Sequence, residues 1–132
     1  MARIGYKALV DAALAEIDIV SAADAMPLLD DDGVVFVDVR DVRELDRDGM
    51  IPGAVHAPRG MLEFWIDPES PYHREVFAGG KRYLFYCALS WRSALATQTA
   101  KRMGLDDAAH LDGGLKEWQE AGGEVVERPQ KK

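Results

Sequence analysis

Cysteine is nearly absent from this sequence: 132 residues contain one, at position 87. A single thiol excludes an intrachain disulfide and any structural zinc site built on several cysteines. It leaves two roles, inert core filler or reactive thiol, and suits a reducing compartment. Histidine is scarce too. His56, His73 and His110 are scattered, none near Cys87 in sequence, so each reads as a surface or structural residue rather than a general base. No apolar run approaches the roughly 18 residues that span a bilayer. Positive charge is in deficit: 16 Lys and Arg against 23 Asp and Glu give a formal net charge of -7. Such a surface repels polyanions, so no nucleic acid and no membrane partner is expected, although a locally positive pocket can still take a small anion. Asp11 and Glu16 interrupt the N-terminal apolar stretch, and no small-residue cleavage pattern follows. That stretch therefore reads as a helix rather than a secretory leader, and a cytoplasmic location is expected.

The composition, 48% hydrophobic and 30% charged, is that of one folded domain. Tyr6, Leu9, Val10, Ala13 and Ile17 recur at helical spacing and predict an amphipathic lead helix over residues 3–16. Ile17 to Val20 predicts a short strand. Ser21, with Asp24 three residues on, predicts an N-capped helix running to about Leu29. The run Val34 to Val39 is β-branched and nearly continuous, as a strand covered on both faces should be. A short polar helix is expected from Asp41 to Arg47. Between Gly49 and Pro58 the chain reads as turn, short strand (Ala54 to His56) and turn. Met61 to Ile66 predicts one or two helical turns, with Trp65, Tyr72 and Phe77 as core candidates and Arg59 and Trp65 as alternative pocket residues. Tyr83 to Tyr86 is a second buried strand. Ser93 to Met103 predicts a helix with Ala96, Ala100 and Met103 on one stripe, stopped by Gly104. Asp107 to Leu111 predicts a further strand, and Gly113-Gly114 opens a last helix in which Trp118 is a core anchor. Strands alternating with helices predict an α/β domain over residues 17–126, with a mainly parallel central sheet flanked by helices on both faces. The lead segment 1–16 precedes it and a polar tail, 127–132, follows.

The chemistry concentrates where the strand Tyr83 to Tyr86 ends at Cys87, a short loop follows and a helix starts near Ser93. In open α/β sheets ligands bind beyond the carboxyl ends of the strands. N–H groups of a tight strand-to-helix loop can converge on one anion. The helix start adds further unpaired N–H groups, and Arg92 adds a permanent charge. All three favour the thiolate, which is the nucleophile. A Cys–His pair would require the fold to bring a distant histidine close.

These residues resemble a known family. Cys87 to Ser93 is similar to the rhodanese active-site loop, commonly C-R-x-G-x-R-[ST], with Cys87, Arg92 and Ser93 at matching positions. Val37 to Arg40 resembles the family's D-x-R at the end of an early strand, and Glu44 falls where a following acidic residue is common. Gly49 to Ala54 resembles G-H-I-P-G-A, and Leu111 to Trp118 resembles L-x-G-G-x-x-x-W. Four motifs stand in the family's order over about Ile17 to Val126. The resemblance implies a rhodanese-like α/β fold and a two-step sulfurtransferase. Cys87 takes sulfane sulfur from thiosulfate or a persulfide, and a thiol, cyanide or protein acceptor removes it. It implies that Ala88, Leu89, Ser90, Trp91, Arg92 and Ser93 hold the persulfide, that Asp38 and Arg40 are structural partners, and that no metal or organic cofactor takes part.

The departures from the pattern carry expectations of their own. Ala88 replaces a frequent basic residue, which weakens attraction for thiosulfate. Ser90 replaces glycine, which requires a backbone that either avoids positive φ or accepts some strain. Leu89 and Trp91 make the mouth of the loop apolar. Two other readings remain open. Tyrosine phosphatases also place a cysteine–arginine loop before a helix, as C-x5-R; here the loop is one residue shorter, a smaller nest for a tetrahedral phosphate. A non-catalytic rhodanese-like binding module is the other, and the presence of both Cys87 and Arg92 argues against it.

Overall fold

Two apolar runs predicted as buried strands form the middle of one sheet. The computed structural model describes residues 3–129. Its strands are β1 (Asp18–Val20), β2 (Val34–Asp38), β3 (Val55–His56), β4 (Arg82–Tyr86) and β5 (Ala109–Leu111). They lie in the order β1-β5-β4-β2-β3, and every neighbouring pair is parallel. β2 and β4 run side by side, Val37 opposite Phe85 and Asp38 opposite Tyr86. Successive side chains of a strand point to opposite faces, so one strand feeds two cores. Phe36, Leu84, Tyr86 and Trp118 share one cluster, and Val37, Phe85, Cys87 and Ala100 share another. That double burial is why these segments are apolar without alternation.

Among the described residues six α-helices accompany the sheet: α1 (Tyr6–Glu16), α2 (Ala22–Ala25), α3 (Val42–Asp48), α4 (Leu62–Ile66), α5 (Trp91–Arg102) and α6 (Gly114–Glu120). The predicted α/β architecture is the one observed. Several boundaries differ for identifiable reasons. α1 begins at Tyr6, and Tyr6 and Leu9 are exposed, so Val10, Ala13 and Ile17, with Leu14 beside them, form the stripe that packs on Ala94 of α5. The helix after Ser21 lasts one turn. Ser21 Oγ accepts from Asp24 N–H at 3.1 Å, as the cap pattern predicts, but the chain tightens into a 3-10 turn over Met26–Asp30 at Pro27. Tyr72, expected in the core, is exposed, whereas Phe77 is buried and Trp65 packs against the core. α5 ends one residue earlier than expected, and of the stripe Ala96 and Ala100 are buried while Met103, just past its end, is exposed. The predicted polar tail lies partly outside the described residues; Arg128 Nε within it pairs with Asp46 at 2.7 Å.

From β2 the chain steps to β3 on one side of the sheet, and from β4 to β5 on the other. The order therefore reverses between β2 and β4, and their carboxyl ends border a crevice, the usual place for a ligand in such sheets. The end of β2 is fixed by a buried ion pair. Arg40 Nε donates to Asp38 Oδ1 at 2.9 Å and Nη2 to Oδ2 at 2.6 Å, with both side chains within 1% of full burial. Arg40 Nη2 also donates to Gly49 O at 2.7 Å, which ties the turn after α3 to the strand. Burial works against the guanidinium's charge, but the hydrogen bond and charge of Asp38 outweigh it and hold Arg40 above its ordinary pKa. Removing one partner of such a pair strands the other charge in the interior. Asp38→Ala is therefore expected to cost about 3–5 kcal/mol. The double replacement Asp38→Leu with Arg40→Met is expected to recover most of that loss, as read by urea unfolding.

Candidate active site

Cys87 follows β4 directly and is 1% exposed. The loop after it is shorter than the sequence suggests. α5 starts at Trp91, so Arg92 and Ser93 lie in its first turn and only Ala88 to Ser90 separate Cys87 from the helix. Ser90 has φ -149° and ψ -29°, and no non-glycine among the described residues has positive φ. The condition that serine at this position imposes is met.

The beginning of α6 orients this loop. Leu115 N–H donates to Cys87 O at 2.9 Å and Lys116 N–H to Ala88 O at 3.2 Å. In a trans peptide the C=O and the next N–H point in opposite directions. Tying the carbonyls of 87 and 88 to α6 therefore turns the N–H groups of Ala88 and Leu89 away from α6, as an anion nest needs. Gly114 makes this approach possible. A β-carbon there would fall on the carbonyl oxygens of Cys87 and Leu89, and its φ of 58° disfavours a side chain as well. Ser90 Oγ adds a tether from the other side, accepting from Gly113 N–H at 3.1 Å.

Arg92 is not a free cation. Its Nη1 and Nη2 donate to Glu44 Oε1 at 2.6 Å and Oε2 at 3.0 Å. Glu44 is placed by a capping box at the start of α3, where it also accepts from Asp41 N–H at 3.2 Å. The hydrogen bond from Arg92 holds the Glu44 carboxyl below its ordinary pKa, and Glu44 in turn holds Arg92 above its own. A fork-to-fork pair of this kind fixes the guanidinium beside the loop and neutralises much of its charge.

The fold brings one histidine to the site, which the scatter of histidines along the chain did not suggest. His110 on β5 is fully buried, and its Nδ1 lies 2.9 Å from Ser93 Oγ, which lies 3.4 Å from Cys87 Sγ. Its Nε2 has no partner among the described residues. Counting donors assigns the tautomer. With the proton on Nδ1, the imidazole donates to Ser93 Oγ and leaves only an acceptor unpaired. With it on Nε2, a buried donor would go unsatisfied and the serine proton would be consumed. The first arrangement leaves the Ser93 proton for Cys87 Sγ or for Ser90 O, 3.2 Å away. The only sequence signal for His110 was a histidine inside an otherwise apolar strand of three residues.

The remaining candidates fall elsewhere. His56 Nε2 meets Arg40 O at 2.6 Å, a structural contact. Arg59 pairs with Glu63 at 2.9 Å and reaches Thr99, and Trp65 stacks against the Arg74 guanidinium at 4.1 Å. Neither Arg59 nor Trp65 lines the cavity at Cys87, which measures about 260 Å³ and is walled by residues 87–92 alone. Asp38 and Arg40 stand behind the loop, where Arg40 borders a second cavity with Ala88 and Leu89.

Comparison with known proteins assigns the chain to a family. Residues 21–121 match the rhodanese-like domain family. The chain belongs to that family. This rhodanese-like domain is 30% identical over 96 residues to mouse thiosulfate sulfurtransferase/rhodanese-like domain-containing protein 3, covering 69% of the present chain and 61% of the mouse protein. Among solved structures, a Rhodopseudomonas palustris protein of unknown function, a possible tyrosine phosphatase, is 48% identical with a TM-score of 0.92, covering 96% of this chain and 97% of that one. The polysulfide-sulfur transferase homodimer of Wolinella succinogenes is 30% identical with a TM-score of 0.70, covering 93% and 88% of the two chains. No helix among the described residues is long and apolar enough to cross a membrane.

The site sets a pH dependence. Burial holds the His110 imidazole below its ordinary pKa, with Asp112 opposing weakly. Above about pH 6.5 the imidazole is neutral in both folded and unfolded chains. As pH falls below that value the unfolded chain binds a proton that the folded one refuses, so folding stability declines. Glu44 acts lower: its stabilising contribution is present above the unfolded carboxylate range and is lost as pH falls through its depressed folded value. Urea unfolding is expected to show stability falling between about pH 7 and about pH 5.5, and His110→Gln is expected to flatten that decline.

Proposed function

We propose that this rhodanese-like domain transfers sulfane sulfur through a persulfide on Cys87. The observation that carries the reading is the loop's orientation: its carbonyls are tied to α6, so its N–H groups are left to face an anion at the cysteine. In the first step the Cys87 thiolate attacks the outer sulfur of the donor. The donor's sulfur–sulfur bond breaks, its leaving group departs with the electron pair, and Cys87 carries an anionic persulfide. In the second step an acceptor nucleophile such as cyanide or a thiol attacks the outer sulfur, and Cys87 leaves as thiolate. The N–H groups of residues 88 to 93 stabilise charge at the sulfur in both steps. The Ser93 hydroxyl, 3.4 Å from Sγ, adds a donor. Arg92, held by Glu44, contributes a fixed dipole more than a net charge. The sulfurtransferases among the related proteins support the reaction class.

A phosphatase reading is favoured by one observation, the description of the R. palustris structure as a possible tyrosine phosphatase. Two features weigh against it. Both outer nitrogens of Arg92 are engaged by Glu44, leaving fewer donors for phosphoryl oxygens. The cavity at Cys87 is lined by no carboxyl group to protonate a leaving oxygen.

The deciding experiment is intact mass after incubation with a sulfane donor. A gain of one sulfur atom, lost on adding reductant or cyanide and absent in Cys87→Ser, is the expected result. Hydrolysis of aryl phosphates is expected to stay at background. Turnover in Cys87→Ser, or robust phosphatase activity with no sulfur gain, would overturn the reading. Inserting one glycine after Ser90 is expected to reduce sulfur transfer by at least about tenfold, because the widened arc moves its N–H groups off the sulfur.

A further inference from the structure

Resting on the sulfur-transfer reading, we propose that the Cys87 cavity continues into an aromatic subsite between α1 and α5. This subsite selects donors and acceptors with an apolar, ring-sized organic body. The starting observation is Trp91. It stands in the first turn of α5, next to Arg92, and is 58% exposed. Its ring lies 4.7 Å from that of Tyr6, itself 59% exposed, at an interplanar angle of 49°. Tyr83, Phe85, Tyr86 and Trp118 are essentially fully buried; Phe64 and Tyr72 are exposed too, but neither lines the cavities beside Cys87. An open aromatic pair beside a reactive sulfur is a surface left for something to cover.

The pair also walls a cavity. Tyr6, Val10, Leu14, Ser90 and Trp91 line about 290 Å³ between α1 and the loop. Its two charged liners, Lys7 and Asp11, neutralise each other at 3.2 Å. Ser90 and Trp91 border the Cys87 cavity as well, so the two spaces adjoin at those residues. Together they reach the lower range of small-molecule sites, roughly 300–1,000 Å³. α1 precedes the family match, which begins at residue 21, so this wall lies outside the matched span. Charge points to the same occupant. Arg92 is neutralised by Glu44, Ala88 supplies no charge and the chain is net acidic, so an inorganic dianion gains little here. A ring covering Trp91, Tyr6 and Leu14 removes apolar surface from water and keeps its sulfur near Cys87.

Benzenethiosulfonate and methanethiosulfonate test this, since they share charge and reacting group and differ in the organic body. With either, the Cys87 thiolate takes the terminal sulfur, the sulfur–sulfur bond breaks and a sulfinate leaves with the electron pair. The intact protein is expected to favour the benzene compound in kcat/KM by at least about tenfold. Trp91→Ala and Tyr6→Ala are each expected to bring that ratio toward one. A ratio near one in the parent, or one unchanged in both variants, overturns the subsite while leaving sulfur transfer standing. If neither compound adds sulfur to Cys87, the transfer reading is what fails, and the subsite is read by protection of Cys87 from iodoacetamide. Stronger protection by benzenesulfinate than by methanesulfinate supports it; equal protection overturns it.

An independent observation, the buried line His110–Ser93–Cys87, assigns His110 as a positioning residue. By donating from Nδ1 to Ser93 Oγ, His110 occupies the serine's acceptor side and frees its proton for the Cys87 sulfur. His110→Leu is expected to slow iodoacetamide alkylation of Cys87 at neutral pH about tenfold, the scale of one hydrogen bond to a charged group. His110→Asn, whose amide places an N–H near Nδ1, is expected to recover most of the rate. In a Ser93→Ala background, His110→Leu is expected to add no further loss. If the leucine variant does not fold, His110→Gln replaces it, since its amide reaches the Nε2 side instead. Parent-like rates in the leucine or glutamine variant, or additive losses with Ser93→Ala, would overturn the assignment.

Discussion

Two backbone hydrogen bonds, from Leu115 and Lys116 to the carbonyls of Cys87 and Ala88, decide which way the loop's peptide planes face. Without them the strand would still end at a cysteine and α5 would still begin with an arginine, but the intervening N–H groups would have no fixed aim. The bonds exist because the chain at Gly114 carries no side chain. They link the last helix of the fold to the residue after its central strand. The site is therefore a product of the sheet order: β5 lies beside β4, so the helix that follows β5 starts next to the end of β4.

Charge around this centre is arranged in closed pairs. Asp38 and Arg40 neutralise each other inside the protein, and Glu44 and Arg92 do so at the loop. Such pairs contribute little net stability compared with apolar packing, but each fixes a geometry that a single charge would not. The first pins the end of β2 and the turn at Gly49. The second ties α3 to the first turn of α5. The field left at Cys87 comes mainly from oriented backbone groups, which keep their direction regardless of pH.

The sheet strands and the cysteine loop were legible in the sequence because their signals are local. A β-branched run such as Val34 to Val39, a strand ending in cysteine, and a serine cap at Ser21 each carry their own reason. Contacts between distant segments were not legible. Glu44 reads as part of a polar helix until the fold sets it against Arg92. His110 reads as one scattered histidine until β5 pairs with β4 and α5 lays Ser93 between it and the sulfur. Tyr6 and Leu9 fit the helical stripe of α1, yet the helix is rotated so that Val10, Ala13 and Ile17 face α5. Periodicity identifies a stripe but not how far around the helix burial extends.

The near-complete burial of Cys87 has a consequence for reaction direction. In the proposed sulfur transfer, a second sulfur on Cys87 would leave the inner sulfur inside the protein and the outer one at the mouth of the cavity. An acceptor thiol has two electrophilic atoms to choose from. Attack at the inner sulfur would expel hydrosulfide and leave the protein locked as a mixed disulfide. Attack at the outer sulfur hands on the cargo and regenerates the thiolate. A pocket that buries all but the last atom would permit only the second path, so the enclosure around Cys87 would also govern the regiochemistry of the proposed transfer.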